Sequence, residues 1–75
     1  GNPNAALEHL QRASALEDEA GTPSYAHKLA LAQCYGALGR YPQAVAGYLR
    51  AAELAPKKQR TWTLHECALL LIEAE

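Results

Sequence analysis

His65, Glu66 and Cys67 are three consecutive side chains that could bind a metal or act as an acid, a base or a nucleophile. They are consecutive, and neighbouring residues of a helix point in different directions, so these side chains cannot converge on one ligand. His27 and Cys34 could share one face of a helix, but helical metal sites place their ligands one turn apart. Core packing is the better explanation of Cys34. We therefore expect no enzyme activity, no metal site and no cofactor.

A second candidate group is the basic cluster of Lys57, Lys58 and Arg60, which Trp62 follows. Cationic side chains that neutralise phosphates, beside an aromatic ring on which a base can stack, are typical of contacts to single-stranded RNA. The whole chain, however, carries a net charge of −1, unlike strongly basic nucleic-acid modules. The charge balance does not favour a nucleic-acid partner, and RNA contact is kept as an alternative.

Helices are the elements that must position these side chains. Of the 75 residues 49% are apolar, and the prevalence of Ala and Leu among them favours helix. Gly21, Gly39 and Pro56 divide the chain into four segments, because glycine ends helices and the residue before a proline avoids helical geometry. The sequence predicts an all-α fold of about four helices in a single domain, residues 1–75.

The predicted helix starts rest on capping residues. Asn2 is expected to cap the first helix, and Thr22 the second, with Pro23 at its first position. The third helix is expected to start at Pro42. The start of the fourth is left open between a capping box at residues 63–66 and a point several residues earlier.

Residues 25–58 carry the pattern of one complete helical repeat. Its regularly placed side chains, counted from Tyr25, are Leu31, Ala32, Tyr35, Ala44, Tyr48, Ala51 and Pro56. This pattern resembles the tetratricopeptide repeat. Gly39 and Tyr41 at the inter-helix turn also fit the family, whereas Lys28 stands where the family has a large apolar residue.

The resemblance implies an antiparallel helix-turn-helix array. Residues 3–20 would be the second helix of a preceding repeat, residues 25–58 a full repeat, and residues 59–75 the first helix of a further repeat. The equivalent packing positions would be Ala6, Leu10 and Ala13 in the first helix, and Leu64, Cys67, Ala68 and Leu71 in the last. In the central repeat, Ala32, Ala44 and Ala51 would let two helices approach closely, while larger side chains fill the gaps.

In this family, partners usually lie in a concave groove lined by the first helix of each repeat. Mapped onto this chain, the groove would be lined by Ala26, Leu29, Ala30, Gln33, Ala37, Trp62, His65, Leu69 and Ile72. It is small and mostly apolar, which suits an amphipathic helix or an apolar extended peptide. The resemblance thus implies a non-catalytic interaction or assembly scaffold with a protein or peptide partner.

The fourth helix is apolar on nearly every side, and such a helix tends to be buried. Leu69, Leu70 or Ile72 should therefore contact something outside this segment: a further repeat, a second copy of the chain, or a partner. The alternative function is a self-associating element that forms a homodimer through this helix.

Cys34 and Cys67 are far apart and form no close pair, which favours a reducing compartment. We expect an intracellular location, in the cytoplasm or the nucleus. The longest apolar run, residues 67–72, is far shorter than the ~20 residues that a membrane-spanning helix needs. No membrane partner and no signal peptide are predicted.

Overall fold

The computed structural model describes residues 3–74, and within this range the chain is entirely helical apart from short turns. Its four helices are α1 (Pro3–Ala20), α2 (Tyr25–Ala37), α3 (Tyr41–Leu54) and α4 (Lys57–Ala74). The extensive packing lies between helices adjacent in sequence: α1 on α2, α2 on α3 and α3 on α4. The predicted all-α helix-turn-helix array is confirmed. None of the described helices combines the length and the apolar character that crossing a bilayer requires.

The breaks between the first three helices occur at the two predicted glycines. Gly21 and Gly39 both have a φ of 75°, a backbone conformation that costs glycine little. Each is followed by a residue whose amide donates back to the last turn of the preceding helix: Thr22 to the Glu17 carbonyl at 2.9 Å, and Arg40 to the Tyr35 carbonyl at 2.9 Å. These bonds satisfy carbonyls that the end of a helix leaves free.

Two of the predicted helix starts differ in the structure. The prediction that Thr22 caps α2 is wrong: the cap is Ser24, whose Oγ accepts the His27 amide. The turn continues through Pro23, so the first helical residue is Tyr25. The third helix begins at Tyr41, one residue before Pro42. The predicted Asn2 cap lies outside the described residues.

The start of α4 is resolved in favour of the earlier position. The helix begins at Lys57, directly after Pro56, so no capping box forms at residues 63–66. Thr63 instead lies within the helix, where its hydroxyl donates to the Gln59 carbonyl at 2.8 Å. Because that bond uses the single hydroxyl hydrogen of Thr63, Tyr25 of α2 must donate in the 2.8 Å bond between the two hydroxyls. This bond ties α4 to α2.

The core lies where α2 and α3 approach most closely. Ala32, Ala44 and Ala51 are each 0% exposed, as the small-residue pattern predicted. A methyl group added at Gly47 would lie 3.0 Å from the Ala32 Cβ, so the two helix backbones are nearly in contact at this point. Tyr48 fills the adjoining space together with side chains from α4.

The interface between α1 and α2 contains a cluster of polar and charged side chains. The Lys28 ammonium is largely buried and donates to the Ser14 hydroxyl at 2.6 Å and to the Asp18 carboxylate at 2.8 Å. His27 pairs with Glu17 at 2.8 Å. The pairing with α1 accounts for the lysine at a position where a large apolar residue was expected.

The face that α1 turns towards α2 differs from the predicted one. Leu7 and Ser14 are buried, whereas Ala6 is exposed and Leu10 and Ala13 are only half-buried. Leu7 and Ser14 are seven residues apart and share one face of α1, so this face buries an apolar side chain and also presents the hydroxyl that accepts from Lys28.

Candidate partner-binding surface

The predicted groove residues of α2 fall into two groups. Ala26, Gln33 and Ala37 are exposed and follow one face of the helix. Ala30 is half-buried, and Leu29 is half-buried because it packs against the core. The exposed part of this face therefore carries small side chains, and the Gln33 amide is the one among them that can form hydrogen bonds.

The predicted groove residues of α4 are all open to solvent. Trp62 is 45% exposed, Leu69 46% and Ile72 67%, and His65 is exposed as well. A shallow hollow of about 390 Å³ lies at this part of the helix, and it is lined by Tyr48, Glu66, Leu69, Leu70, Ile72 and Glu73. We call Ala26, Gln33, Ala37, Trp62 and Leu69 the groove surface.

The two helices that carry the groove surface touch directly. Besides the bond between Tyr25 and Thr63, a methyl group added at Gly36 would meet the Leu70 side chain at 3.5 Å. At this position α4 therefore lies within van der Waals distance of the surface of α2. The contacts hold the apolar side chains of α4 next to the small side chains of α2.

A second apolar surface lies on another side of α4. The predicted packing positions Leu64, Ala68 and Leu71 are exposed, and only Cys67 of that set is buried. We call these three residues the outer stripe. Beside it a hollow of about 530 Å³ is lined by Leu49, Ala52, Glu53, Arg60 and Leu64.

The burial pattern of α4 separates the two surfaces. Its buried face is Thr63, Cys67 and Leu70. At ~100° per residue, the outer stripe flanks this buried face on one side, and Trp62 and Leu69 flank it on the other. The resemblance implied that Leu64, Ala68 and Leu71 are internal packing positions, but all three are exposed. Apolar residues run nearly all round α4, so the periodicity of its sequence does not distinguish buried positions from exposed ones.

The basic cluster is divided by the fold. Lys57 and Lys58 are exposed in the first turn of α4, whereas the Arg60 Nε donates to the Ala52 carbonyl near the end of α3 at 3.2 Å. A cation at the C-terminal end of a helix is favoured by the helix dipole, so Arg60 has a structural task. The geometry gives the RNA alternative no support beyond the charges themselves.

The chemically capable side chains of α4 point apart. His65 is exposed, Glu66 is half-buried and Cys67 is buried. Burial raises the pKa of the Cys67 thiol, so it is protonated and unreactive at neutral pH. Burial, and then the negative charge of Glu66, also raise the pKa of Tyr48. Among residues 3–74 no three His, Cys, Asp or Glu side chains cluster closely enough to hold a metal ion.

No protein-family model, no curated protein and no solved structure matches this chain. The groove surface and the outer stripe are therefore the features from which its function has to be argued. Both consist of apolar or small side chains in open positions on α2 and α4.

Proposed function

We propose that this chain is a non-catalytic protein-interaction module, of the tetratricopeptide-repeat type, that binds a partner peptide or helix on its groove surface. The observation that carries the proposal is the pair Trp62 and Leu69, each nearly half exposed. They lie on a helix that contacts α2 beside the face of Ala26, Gln33 and Ala37. Large apolar side chains in such exposed positions have an unfavourable hydration free energy, which a partner that covers them would remove.

The chemistry of the surface suits an apolar partner with a basic flank. Trp62 is the kind of large, rigid side chain that anchors an interface, and Ala26 and Ala37 would allow a partner backbone to approach α2. Gln33 could pair with the backbone of an extended peptide. Glu66 and Glu73 line the hollow next to Leu69, so a Lys or Arg beside the partner's apolar residues would be favoured.

The fold supports the same proposal. Helices adjacent in sequence pack pairwise, as in repeat arrays whose concave surfaces bind partners. The free thiols Cys34 and Cys67 suit a reducing, intracellular compartment, in which we place this interaction.

Selection of short displayed peptides against the chain, followed by titration, tests the proposal. Trp62 is the single tryptophan, so its fluorescence should shift to the blue as an apolar peptide covers it. Amide NMR shifts should concentrate at Ala26, Gln33, Ala37 and Leu69. Replacing Leu69→Glu should weaken binding about tenfold or more.

The matched control is Leu16→Glu, because Leu16 is an exposed leucine on α1. It should leave peptide affinity unchanged. If the selected peptides bind the two variants equally, or shift amides only on α1 and α3, the groove surface is not the binding site.

A further inference from the structure

We propose that the groove surface binds a basic amphipathic helix of a partner protein, and that two cationic side chains of this helix, two turns apart, pair with Glu66 and Glu73. The inference rests on the proposed function, because it names the class of partner that the groove surface takes. A groove that binds an uncharged or an acidic partner would keep the proposed function and remove this inference.

The groove surface belongs to two helix faces that have the same spacing. The face on α2 consists of Ala26, Ala30, Gln33 and Ala37, and the face on α4 consists of Trp62, Glu66, Leu69 and Glu73. Steps of three and four residues place each set on one side of its helix. The contact of Tyr25 with Thr63 and the approach of Leu70 to Gly36 advance in the same direction along both helices. The two faces therefore run side by side.

The spacing of the two carboxylates fits a helical partner. Glu66 and Glu73 are seven residues apart in one helix, which is about 10.5 Å along its axis. Residues seven apart in a partner helix lying alongside have the same separation and the same face. Residues on one face of a strand repeat at about 6.6 Å, so they do not match this distance. The alanines of the α2 face allow the backbone of such a helix to approach closely.

The charge of this part of the groove requires a cationic partner. Glu66, which is half-buried, and Glu73 line the hollow of about 390 Å³ together with Leu69 and Ile72. Four other carboxylates among residues 3–74 pair with a cationic side chain of the chain itself, but neither Glu66 nor Glu73 does. The α2 face carries no charge. Glu73 also lies in the last turn of α4, where the helix dipole adds negative potential.

The opposite end of the α4 face has the opposite charge. Lys58 is exposed one turn before Trp62, so a cation of the partner would be repelled there. The partner helix should therefore cover Trp62 with apolar side chains and place its two cations beside Glu66 and Glu73. This arrangement fixes which end of the partner lies against the C-terminal half of α4.

Titration with three model peptides tests this partner class. The first is a peptide of about 18 residues, long enough to be helical, with a stripe of leucines and two lysines seven residues apart at the edge of that stripe. The second has the same composition with both lysines on the opposite face, and the third has glutamates in place of the lysines. Followed by Trp62 fluorescence, the first should bind about tenfold more tightly than either of the others, and added salt should reduce the difference.

Substitutions in the chain identify the carboxylates. Glu66→Gln should weaken binding of the first peptide on the order of tenfold, and the exposed Glu73→Gln several-fold. The matched control is Glu19→Gln, because Glu19 is an exposed carboxylate on α1, and it should not change the affinity. Thermal unfolding followed by circular dichroism should show that all three variants fold. Replacing both groove carboxylates, Glu66→Lys with Glu73→Lys, should make the glutamate peptide the tightest of the three.

Several outcomes would overturn the inference. They include equal affinity for the first two peptides, tighter binding of the glutamate peptide to the wild type, and an affinity that neither Glu66→Gln nor Glu73→Gln lowers. In each of these cases, loss of binding in Leu69→Glu would still support the proposed function. A dimer that forms without peptide and dissociates in Glu66→Gln would assign the groove to a second copy of the chain instead.

Discussion

At the scale of single residues, two helical glycines have very different surroundings. A Cβ added at Gly36 would find only the Leu70 side chain, at 3.5 Å, which is an ordinary contact. A Cβ added at Gly47 would lie 3.0 Å from the Ala32 Cβ and 3.2 Å from its Cα. The first glycine occupies a place that could hold a methyl group, and the second is needed for the α2–α3 approach.

Alanine substitution should distinguish these two positions. Gly36→Ala should raise the free energy of unfolding by about 0.5–1 kcal/mol, because alanine is the better helix former and the space is available. Gly47→Ala gains the same propensity but forces two packed backbones apart, so it should destabilise the protein. Urea titrations followed by circular dichroism measure both; a Gly47→Ala protein as stable as Gly36→Ala would contradict the close approach.

At the scale of elements, α1 is attached differently from the other three helices. Its contacts with α2 include the Lys28, Ser14 and Asp18 cluster, and a 2.9 Å bond from the Gln11 amide to the Tyr35 hydroxyl. The interfaces of α3, in contrast, contain the apolar core cluster. Buried polar clusters of this kind contribute little net free energy of folding, but removing one partner is strongly destabilising because it leaves the other partner unpaired.

Removing the Lys28 ammonium should therefore loosen α1 selectively. In Lys28→Ala we expect amides of α1 to exchange with solvent on the order of tenfold faster, since charge-assisted hydrogen bonds to Ser14 and Asp18 are lost and Asp18 is half exposed. Hydrogen exchange read by mass spectrometry resolves the helices.

Arg50→Ala is the matched control, because Arg50 forms an exposed ion pair with Glu53 on the surface of α3. Such pairs contribute little, so α1 exchange should stay at the wild-type rate. If Lys28→Ala accelerated α3 and α4 as much as α1, the four helices would open as one unit and the local attachment of α1 would be disproved.

At the scale of the whole molecule, the described residues form a flat array of 35 × 31 × 19 Å. One core cluster serves three of the helices, with Ala32 from α2, Ala44 and Tyr48 from α3, and Cys67 and Leu70 from α4. Two ionisable side chains, Tyr48 and Cys67, lie inside it. The folded state therefore holds both protons more firmly than the unfolded chain does.

This difference predicts the alkaline limit of stability. Since both pKa values are raised on folding, the two groups contribute to the free energy of unfolding. This contribution is fully present below the ordinary pKa values of a thiol and a phenol, about 8.5 and 10. It is lost as the pH rises through the raised values of the folded state. The urea midpoint of unfolding should decrease above about pH 9. In Tyr48→Phe and in Cys67→Ala the decrease should be less steep, when each protein is compared with its own midpoint at neutral pH. Identical pH profiles in the three proteins would remove these two groups as the cause.

Local chemistry made much of this architecture predictable. Gly21, Gly39 and Pro56 end helices through their own backbone properties, so the four elements could be placed without knowledge of the fold. The alanines at positions 32, 44 and 51 likewise indicated a close helix contact, because small side chains at helical spacing have few other uses. Cap choice between Thr22 and Ser24 was mispredicted, since both hydroxyls can cap and the turn geometry decides between them.

The exposed surfaces and the long-range side-chain partners, in contrast, follow from how the helices pack. Apolar residues run nearly all round α4, so periodicity could not tell that Thr63, Cys67 and Leu70 are covered and that the outer stripe is open. Lys28 could not be matched with Ser14 and Asp18 from the sequence, because their pairing depends on how α1 lies on α2. The composition and spacing of a chain determine its helices through local interactions, whereas which faces meet depends on the packing of all of them together.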